Sequence, residues 1–379
     1  MKFSINRKLF SENLAEIMKV VPNRSTMPIL GNILFNLEEN KLSLRSSDIE
    51  VSMETGIEVK GQESGKVAIP ADFLQSLVNE LEDEFIDISV NENYKVVIES
   101  NLGDYEINGR SPEEFPSLPK IEEPKEIEMD KQNLGRMITK ALVAVGQDEL
   151  KPAFLGVLFQ IHANDLKLVS SDVHRLVFIK NDSFTSDHED HDIIIPTKFL
   201  NILTGYLTEE GKISLTVGKN HVKVKFDSKE IYSRLIDEKF PEYENYIPDD
   251  NDKIALFDAE ALRSTLKRVS IFSDKKTHEI SVNFYNDTAK VETLNREQST
   301  SAEEFVDISY QDEPLKIGFN AKYFMEMLNN IDTKKAMLKM DSKLTANLLL
   351  PEQQEENEEL KMIVMPIRLE DDEEEEINS

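Results

Sequence analysis

The segment SSDVHR, residues 170–175, places a serine, an aspartate and a histidine within five residues. These are the side chains of a nucleophilic triad, in which a histidine base activates a serine hydroxyl. Such a site requires side chains that converge on a substrate, usually from distant segments. On a strand, Asp172 and His174 could share a face, whereas Ser171 would point to the other side. The spacing therefore argues against acyl transfer and favours a strand end or turn, where short polar side chains bond to nearby backbone.

A second polar segment, SDHEDHD at residues 186–192, could bind an ion through His188 and His191. It has the composition of a loop between strands and lacks the ligand spacing of zinc sites, so ion binding there is left open. The chain contains no cysteine, which excludes a thiolate metal site, a thiol nucleophile and a disulfide framework. It also contains no phosphate-binding glycine loop, dinucleotide fingerprint or zinc-protease motif. We therefore predict a protein that is not an enzyme, with no cofactor and no resident metal.

The chain has 379 residues, of which 44 are basic and 73 acidic, and a formal net charge of −29. At about 100–200 residues per domain, this length suggests two to four domains. The acidic balance alone argues against nucleic-acid binding, which depends on lysine and arginine, but binding is local and net charge is a sum. The N-terminus lacks the pattern of a secretory signal, and no apolar run approaches the roughly 18 residues of a membrane span. We therefore expect a cytoplasmic protein.

The Ser-Ser-Asp motif occurs twice, at residues 46–48 and 170–172, within segments that align over more than twenty residues. Both segments alternate apolar and polar residues on either side of a polar turn, which is typical of a β-hairpin. A fainter third copy occupies residues 280–295. Two kinds of helix recur with the hairpins. Amphipathic helices are predicted at residues 6–21, 130–145 and 258–272. A shorter helix follows a strand in each copy, with an aromatic residue at one position: Phe73, Phe199 and Tyr323.

Two modules also end alike, in the Pro-rich acidic stretches 113–119 and 238–248, which are typical of linkers. Four elements that repeat in order indicate repeated modules. Each module has two helices and several strands without strict strand–helix alternation, which predicts an α+β fold. The predicted modules are residues 1–120, 127–248 and 252–369. Seven of the last ten residues, 370–379, are acidic, and we expect this tail to be disordered.

The chain resembles the bacterial sliding clamp family, the beta subunit of DNA polymerase III, in five segments that occur in order: MKFSINRKLF, RSTMPILGNILF, SSDVHRL, EKFPEYENYIP and VMPIRL. The resemblance covers residues 1–369. It implies that two chains close head to tail into a ring, with helices inside and sheets outside. It also implies that this homodimer encircles double-stranded DNA without sequence specificity. The expected partners are the polymerase catalytic subunit, the clamp loader and other replication and repair proteins that carry a clamp-binding motif.

The charge pattern is compatible with this function. The three first helices carry nine basic and five acidic residues, a difference of +4, in a chain of −29. A basic lining inside an acidic exterior would attract phosphate, although the same residues could be ordinary solvated helix faces. The basic residues are Arg7, Lys8, Lys19, Lys131, Arg136, Lys140, Arg263, Lys267 and Arg268. By resemblance, DNA contacts are expected at Arg24, Gln147, Lys151, Lys198, Lys275 and Lys276.

The resemblance also implies an apolar pocket between the second and third modules that captures a short peptide of a partner. From the second module we expect Phe154, Ser171, Val173, His174, Arg175, Leu176, Pro241, Asn245 and Tyr246. From the third module we expect Tyr323, Ile363, Met365, Pro366, Ile367, Arg368 and Leu369. Asn245 stands where many relatives carry a basic residue, so its effect on peptide affinity is left open. The acidic tail follows Leu369, where relatives usually end; it could simply aid solubility, or it could compete with or repel acidic partner peptides.

Ring closure by resemblance would bring Tyr105 and Ile107 of one chain against Ile271 and Phe272 of the other. A strand edge that finds a partner in this way is no longer exposed. The same four side chains could instead be ordinary core residues of their modules. A rival to the whole interpretation is an acidic scaffold of three repeated modules that binds peptides but never DNA.

Overall fold

The computed structural model describes residues 1–226 and 228–369. The tail predicted to be disordered, 370–379, lies outside the described residues. Within them the chain forms six α-helices and three β-sheets, which confirms the α+β fold class. None of these helices is both long and apolar enough to cross a membrane.

The order of helices and strands repeats three times. The first copy contains β1 (Lys2–Asn6), α1 (Arg7–Met18), β2 (Asn32–Glu38), β3 (Lys41–Ser47), β4 (Val51–Glu58), β5 (Lys60–Glu63), β6 (Gly65–Pro70), α2 (Ala71–Glu80), β7 (Phe85–Val90), β8 (Lys95–Ser100) and β9 (Gly103–Asn108). The second contains β10 (Lys125–Asp130), α3 (Lys131–Leu142), β11 (Gly156–Ile161), β12 (Leu166–Ser171), β13 (Arg175–Asn181), β14 (His191–Pro196), α4 (Thr197–Thr204), β15 (Lys212–Val217), β16 (His221–Phe226) and β17 (Lys229–Arg234). The third contains β18 (Lys253–Asp258), α5 (Ala259–Val269), β19 (Glu279–Tyr285), β20 (Thr288–Asn295), β21 (Thr300–Ser309), β22 (Leu315–Asn320), α6 (Ala321–Leu328), β23 (Lys335–Met340), β24 (Asn347–Pro351) and β25 (Glu358–Val364).

The three predicted amphipathic helices are confirmed as α1, α3 and α5, and each is shorter at both ends than its sequence pattern. The start of two of them is set by a side-chain cap. Asn6 accepts a hydrogen bond from the Leu9 amide at 3.0 Å, and Asp258 accepts one from the Ala261 amide at 2.9 Å. A cap satisfies an amide that the first turn of a helix leaves unpaired, so these two residues lie just outside their helices.

The first compact unit consists of Met1–Gln132 with Lys198–Leu235. It holds a sheet of order β5-β1-β7-β8-β9 and a second of order β10-β15-β16-β17-β4-β3-β2-β6. Strand β17 pairs with β4, so one continuous sheet joins the first and second copies of the repeat. Helix α1 packs on α2 and fully buries Phe10, Leu14 and Ile17. Burial of such side chains contributes about 1.5–3 kcal/mol each.

The second compact unit consists of Asn133–Thr197 with the described residues from Ile236 onward. Its single sheet has the order β14-β11-β12-β13-β25-β24-β23-β18-β21-β20-β19-β22. The second and third copies meet where β13 pairs with β25, with Leu176 opposite Ile363. Helix α5 packs on α6 and on strands β20 and β21. This pairing of β13 with β25 positions the candidate site described below.

The Ser-Ser-Asp motif closes two of the hairpins, and its predicted role at a turn is confirmed. The first serine of each motif is buried and donates to a carbonyl of the preceding helix: Ser46 to Ile17, at 2.8 Å, and Ser170 to Ala141. The aspartate then accepts a backbone amide three residues on, at Val51 or Arg175. The motif therefore fastens a strand end to the first helix and turns the chain.

Candidate functional site

An apolar cluster lies where β13 pairs with β25 in the second unit. Its buried members are Leu158, Val169, Leu176, Phe178, Ile194, Phe240, Tyr243, Leu348 and Ile363. Phe154 and Met365 are only partly buried and pack against it. The structure thus brings together four residues predicted to line a peptide pocket, namely Phe154, Leu176, Ile363 and Met365. Phe154 and Met365 are among the partly buried side chains that a ligand could still cover.

The segment 238–248 packs against this cluster. The Phe240 ring meets the Phe154 ring edge to face, with centroids 5.6 Å apart, and the Tyr243 hydroxyl donates to Oε1 of Gln160 at 2.6 Å. Burial raises the pKa of Tyr243 above its usual value, so the hydroxyl stays a donor at neutral pH. Sequence reasoning missed Phe240 and Tyr243, although regular aromatic spacing within this Pro-rich stretch was a usable signal. The predicted residues of the same segment are exposed: Pro241, Asn245 and Tyr246.

A cleft of about 270 Å³ adjoins the cluster. Its lining consists of Val145, Gly146, Gln147, Asp148, Lys151, Phe154, Asp172, His174, Arg175, Lys322 and Tyr323. Tyr323 on α6 is central to it. The His174 ring stacks on the Tyr323 ring with centroids 5.9 Å apart and planes 21° apart, and the Arg175 guanidinium carbon lies 4.5 Å from that ring's centroid. Because Phe154 belongs to both the cluster and the cleft, the two form one continuous site with an apolar and a polar part.

Arg175 is the buried charge of the cleft, at 7% exposure. Its Nε donates to Oδ2 of Asp172 at 3.0 Å, and a terminal nitrogen donates to Glu326 of α6. Burial and the nearby Asp172 carboxylate raise the pKa of Tyr323, which keeps the phenol neutral. Arg175 therefore ties the β12–β13 turn to α6 and holds the Tyr323 ring in place.

The β12–β13 turn is strained and tightly hydrogen-bonded. Val173 has φ of +81°, which is uncommon for a β-branched residue. The Ser171 hydroxyl donates to the Arg175 carbonyl at 2.8 Å and accepts the Val173 amide at 3.1 Å. Ser171 therefore serves the turn, while Val173 and His174 remain exposed on it.

The C-terminal described segment follows β25 past the cleft. The Met365 amide donates to the His174 carbonyl at 3.0 Å, and the Ile367 amide donates to the Gly318 carbonyl at 2.9 Å. Leu369 is 7% exposed and lines a different groove, together with Ser281 and Lys316. The structure thus places Met365 against the apolar cluster beside the cleft and Leu369 away from it. The remaining predicted residues lie between them, half-buried or exposed: Pro366 and Arg368.

The predicted DNA contacts fall into three places. Gln147 and Lys151 are exposed and line the cleft itself. Lys198 is bound to the Asp48 carboxylate and to the Val20 carbonyl, at 3.1 Å for the latter. The others are exposed on loops: Arg24, Lys275 and Lys276. A DNA contact by any of these residues stays a prediction.

The expected basic lining of α1, α3 and α5 is partly wrong. Lys140 is 5% exposed, and its ammonium donates to the Asn330 carbonyl and lies 2.8 Å from Asp332. Arg136 is held by Glu358, at 2.8 Å, and by Asp332. These hydrogen bonds raise the pKa of Arg136 despite its burial. Lys140 and Arg136 therefore fasten α3 to the segment after α6 and to the first residue of β25, and Lys140 is almost fully shielded from solvent.

Four basic residues of the first helices form no ion pair within the described part of the chain: Arg7, Lys8, Lys131 and Lys267. Three others are paired locally. Lys19 pairs with Glu16, Arg263 with Glu260 and Arg268 with Glu304. The charge available to an external phosphate is therefore carried by fewer groups than the sequence count suggested.

The residues predicted for chain–chain contact are all at least partly exposed. Tyr105 and Ile107 are half-exposed on β9, which is the last strand of its sheet. Ile271 and Phe272 follow α5 and are 72% and 42% exposed. The reading of these side chains as ordinary core residues is therefore wrong for Ile271 and Phe272. Sequence reasoning missed two further exposed apolar side chains on β20 and β21, Leu294 and Phe305.

The loop with His188 and His191 gathers no metal site: within residues 1–226 and 228–369 no group of three or more histidine or carboxylate side chains could hold an ion.

Three family models match the chain in order. They are the N-terminal, central and C-terminal domains of the DNA polymerase III beta subunit, over residues 1–119, 128–242 and 244–368. The beta sliding clamp of Pseudomonas putida is 29% identical over 372 residues, covering 97% of this chain and 100% of the relative. That of Vibrio cholerae is 26% identical over 371 residues, with the same coverage.

Solved structures agree with these matches. A DNA polymerase III subunit beta from Pseudomonas aeruginosa superimposes with a TM-score of 0.90 at 27% identity, covering 97% of this chain and 100% of that one. A DNA polymerase sliding clamp from Bacillus subtilis has a TM-score of 0.91 at 22% identity, covering 97% of this chain and 99% of that one. At 22% identity, this structural similarity supports the fold only.

Proposed function

Because the chain belongs to the DNA polymerase III beta subunit family, we propose that it is a sliding clamp that tethers the replicative polymerase to duplex DNA. Proteins of this family are processivity factors without catalytic activity, and this one acts by topology and peptide docking. The observation that carries the peptide-docking part is the continuous site of Phe154, Met365 and Tyr323, where an apolar cluster opens into a polar cleft.

This site suits a short linear peptide. Phe154 and Met365 offer partly buried apolar surface, and a thioether adapts to varied side chains. The cleft offers the stacked rings of His174 and Tyr323, with the positive charge of Arg175 behind them. A partner segment would place apolar side chains on the cluster and orient a polar group in the cleft. The polymerase catalytic subunit, the clamp loader and other proteins with a clamp-binding motif are the proposed partners, in the cytoplasm.

Chain closure requires two complementary edges. Strand β9, which carries Tyr105 and Ile107, is paired on one side only within the described residues. Strand β21 pairs with β20 along its length but with β18 only near its end, at Ile308 and Ser309. A second chain that joins β9 to β21 would remove both open edges and cover Ile271 and Phe272. A head-to-tail contact of this kind closes when the rotation fits, here after two chains.

A clamp that encloses DNA needs only weak contacts, because each phosphate contact adds affinity and slows sliding. A modest positive charge on the first helices comes from four residues that form no ion pair among residues 1–226 and 228–369: Arg7, Lys8, Lys131 and Lys267. The loop residues Arg24, Lys275 and Lys276 add to it. The rival acidic scaffold would bind the same peptides through the same cleft, so only DNA retention separates the two functions.

The test is retention on DNA after loading. The wild-type chain, loaded by its clamp loader on nicked circular DNA, should co-elute with the circle and should be lost when the circle is linearised. The triple variant Arg24→Glu, Lys275→Glu and Lys276→Glu should be loaded or retained several-fold less. Lys219→Glu is the matched control, since Lys219 is exposed on the β15–β16 turn. A wild-type chain that shows no difference between circle and line would refute the clamp and favour the scaffold.

The role of the acidic tail is tested separately. We propose that residues 370–379 compete with or repel acidic partner peptides. A chain ending at Leu369 should then bind a fluorescent peptide of the polymerase catalytic subunit more tightly at low salt, with the difference shrinking at high salt as charges are screened. Equal affinities at both salt concentrations would reduce the tail to a solubilising segment.

A further inference from the structure

A side-chain turn recurs in all three copies of the repeat. The side chain at its centre accepts the backbone amide three residues further on, and it belongs in turn to Asp48, Asp172 and Asn295. In the first unit, Asp48 contacts the start of α4, and in the second unit, Asp172 shares a cleft with the start of α6. Both helices have lysine as their second residue, Lys198 in α4 and Lys322 in α6. The two combinations of turn and helix are therefore equivalent and can be compared residue by residue.

In the first unit the lysine is bound by its own chain. The ammonium of Lys198 donates to Oδ2 of Asp48 and, at 3.1 Å, to the carbonyl of Val20. The residue of this turn that corresponds to Arg175 is Val51, which has no charge to offer the Asp48 carboxylate. The lysine of α4 and the aspartate of the turn therefore neutralise each other.

In the second unit an arginine takes the place of that lysine. Oδ2 of Asp172 accepts Nε of Arg175 at 3.0 Å, and Oδ1 accepts the His174 and Arg175 amides, each at 3.0 Å. Both oxygens of Asp172 are thus occupied. Lys322 is exposed, and its ammonium forms no ion pair or hydrogen bond within residues 1–226 and 228–369. The arginine therefore leaves the charge of Lys322 available to a ligand of the cleft.

The cleft around Lys322 favours an anion. Its two carboxylates belong to turns of the chain itself: Asp172, and Asp148, whose Oδ1 accepts a backbone amide of its own loop at 3.0 Å. A second lysine of the lining, Lys151, is exposed and likewise forms no ion pair in the described part of the chain. Hydrogen bonds from an ammonium to a carboxylate are stronger than those between neutral groups. Because the cleft continues through Phe154 into the apolar cluster, such a carboxylate would lie beside apolar groups of the same ligand.

We propose that Lys322 binds a carboxylate of the partner peptide, next to the apolar side chains that cover Phe154 and Met365. The carboxylate belongs to an aspartate or glutamate of the peptide or to its C-terminus. This inference rests on the proposed peptide-docking function and adds to it a residue that determines specificity. The lysine closes the contact in the first unit and selects the partner in the second, because Arg175 occupies its acceptor there. A DNA phosphate is the alternative anion, but the continuity of the cleft with apolar surface favours a peptide.

A peptide scan tests the proposal. The probe is a labelled clamp-binding peptide of the polymerase catalytic subunit, in which each residue outside the apolar positions is replaced in turn by aspartate and by asparagine. Fluorescence anisotropy gives the dissociation constants for the full wild-type chain and for Lys322→Gln. At the position nearest Lys322, the aspartate peptide should bind the wild-type chain about fivefold more tightly than the asparagine peptide. The two peptides should bind Lys322→Gln equally.

The comparison is made between two peptides on the same protein, so any general weakening of the variant cancels. Free-acid and amidated forms of the unchanged peptide make the same comparison for a C-terminal carboxylate. Lys322→Glu should reverse the preference, so that a peptide with lysine at the sensitive position binds more tightly than one with aspartate. Lys219→Gln is the matched control, because it removes a lysine from an exposed turn of the first unit and should keep the wild-type ratio.

The outcomes separate this inference from the function on which it rests. A wild-type chain that binds none of the peptides refutes peptide docking itself. If the peptides bind but Lys322→Gln changes the ratio at no position and at neither form of the C-terminus, the role of Lys322 is refuted and the docking site stands. If Lys322→Gln instead lowers retention on circular DNA with the ratios unchanged, Lys322 serves a DNA phosphate and the peptide role is equally refuted.

Discussion

Replacing Arg175 with methionine should destabilise the second unit by about 3 kcal/mol. The Arg175 and Asp172 side chains are 8% and 13% exposed, so this pair is nearly free of solvent screening. Removing one partner of a buried pair costs about 3–5 kcal/mol, because the other charge is left uncompensated. The lower end applies here, because Asp172 still accepts the His174 and Arg175 amides, each at 3.0 Å. Methionine fills much of the arginine volume, so the cavity contribution is small.

The Glu326 contact should contribute little to this loss. Its side chain is 36% exposed, and ion pairs with that access to water contribute about 0–1 kcal/mol. Glu326→Gln should therefore lose less than about 1 kcal/mol. Arg175→Lys keeps the charge but loses the planar contact with the Tyr323 ring. Its loss of unfolding free energy should lie between those of Arg175→Met and Glu326→Gln.

Urea unfolding of the purified variants measures these differences in unfolding free energy. Fluorescence anisotropy with a labelled peptide of the polymerase catalytic subunit measures the affinity of the cleft for peptide. Arg175→Met should weaken peptide binding about tenfold or more, because Tyr323 loses the cation that holds its ring. Two results would refute the argument that burial decides the strength of these ion pairs. One is a loss of less than about 1 kcal/mol of unfolding free energy in Arg175→Met, and the other is a loss in Glu326→Gln as large as that in Arg175→Met.

Three further predictions follow from other contacts. Lys140→Met should lower the free energy of unfolding, measured in urea, by about 2 kcal/mol and leave retention on circular DNA unchanged. Lys267→Met should leave the free energy of unfolding unchanged and reduce retention. Equal losses of retention in the two variants would contradict the burial of Lys140. Burial acts to raise the pKa of Asp332, but hydrogen bonds from Lys140 and Arg136 outweigh it and hold that pKa below its usual value. The stabilisation by Asp332 should therefore be present at neutral pH and disappear as pH falls below about 4, so wild type and Asp332→Asn should converge in urea midpoint there. Met365→Asp should abolish peptide binding without changing the dimer constant, and unaltered affinity would remove Met365 from the pocket.

The repeated elements were predictable because they depend on local patterns. Alternation around the turns predicted the hairpins, and apolar spacing predicted α1, α3 and α5. The Ser-Ser-Asp turn was equally readable, since a short polar side chain that bonds to its own backbone needs no distant partner. The pairing of β13 with β25 could not be predicted from the pattern of polar and apolar residues. It joins residues nearly two hundred positions apart, and only the resemblance to a known family suggested that those segments meet.

The errors share one physical cause. Lys140 has the spacing of a solvent-facing lysine on an amphipathic helix, and its burial depends on Asn330 and Asp332, which lie far along the chain. A lysine is almost never buried without such partners, so the sequence of its own helix could not reveal the outcome. Phe240 and Tyr243 were missed for a related reason, because a Pro-rich segment was treated as a linker. In the structure it packs on the apolar cluster.

One repeated turn produces three different surfaces, and single residues decide which. At the turn of the first copy, Lys198 of α4 binds Asp48 and the next residue, Phe199, is fully buried, so the contact between turn and helix is closed. At the turn of the second copy the aromatic residue is Tyr323 of α6, whose ring is held half-buried between His174 and Arg175, and a cleft remains. The first copy has glutamate and valine at the positions of that histidine and arginine, so it cannot form the same stack. In the third copy Nδ2 of Asn295 has no hydrogen-bond partner within the described residues. Of the first two contacts between turn and helix, only the one at Tyr323 leaves its aromatic ring accessible, which supports the proposal of one peptide site per chain.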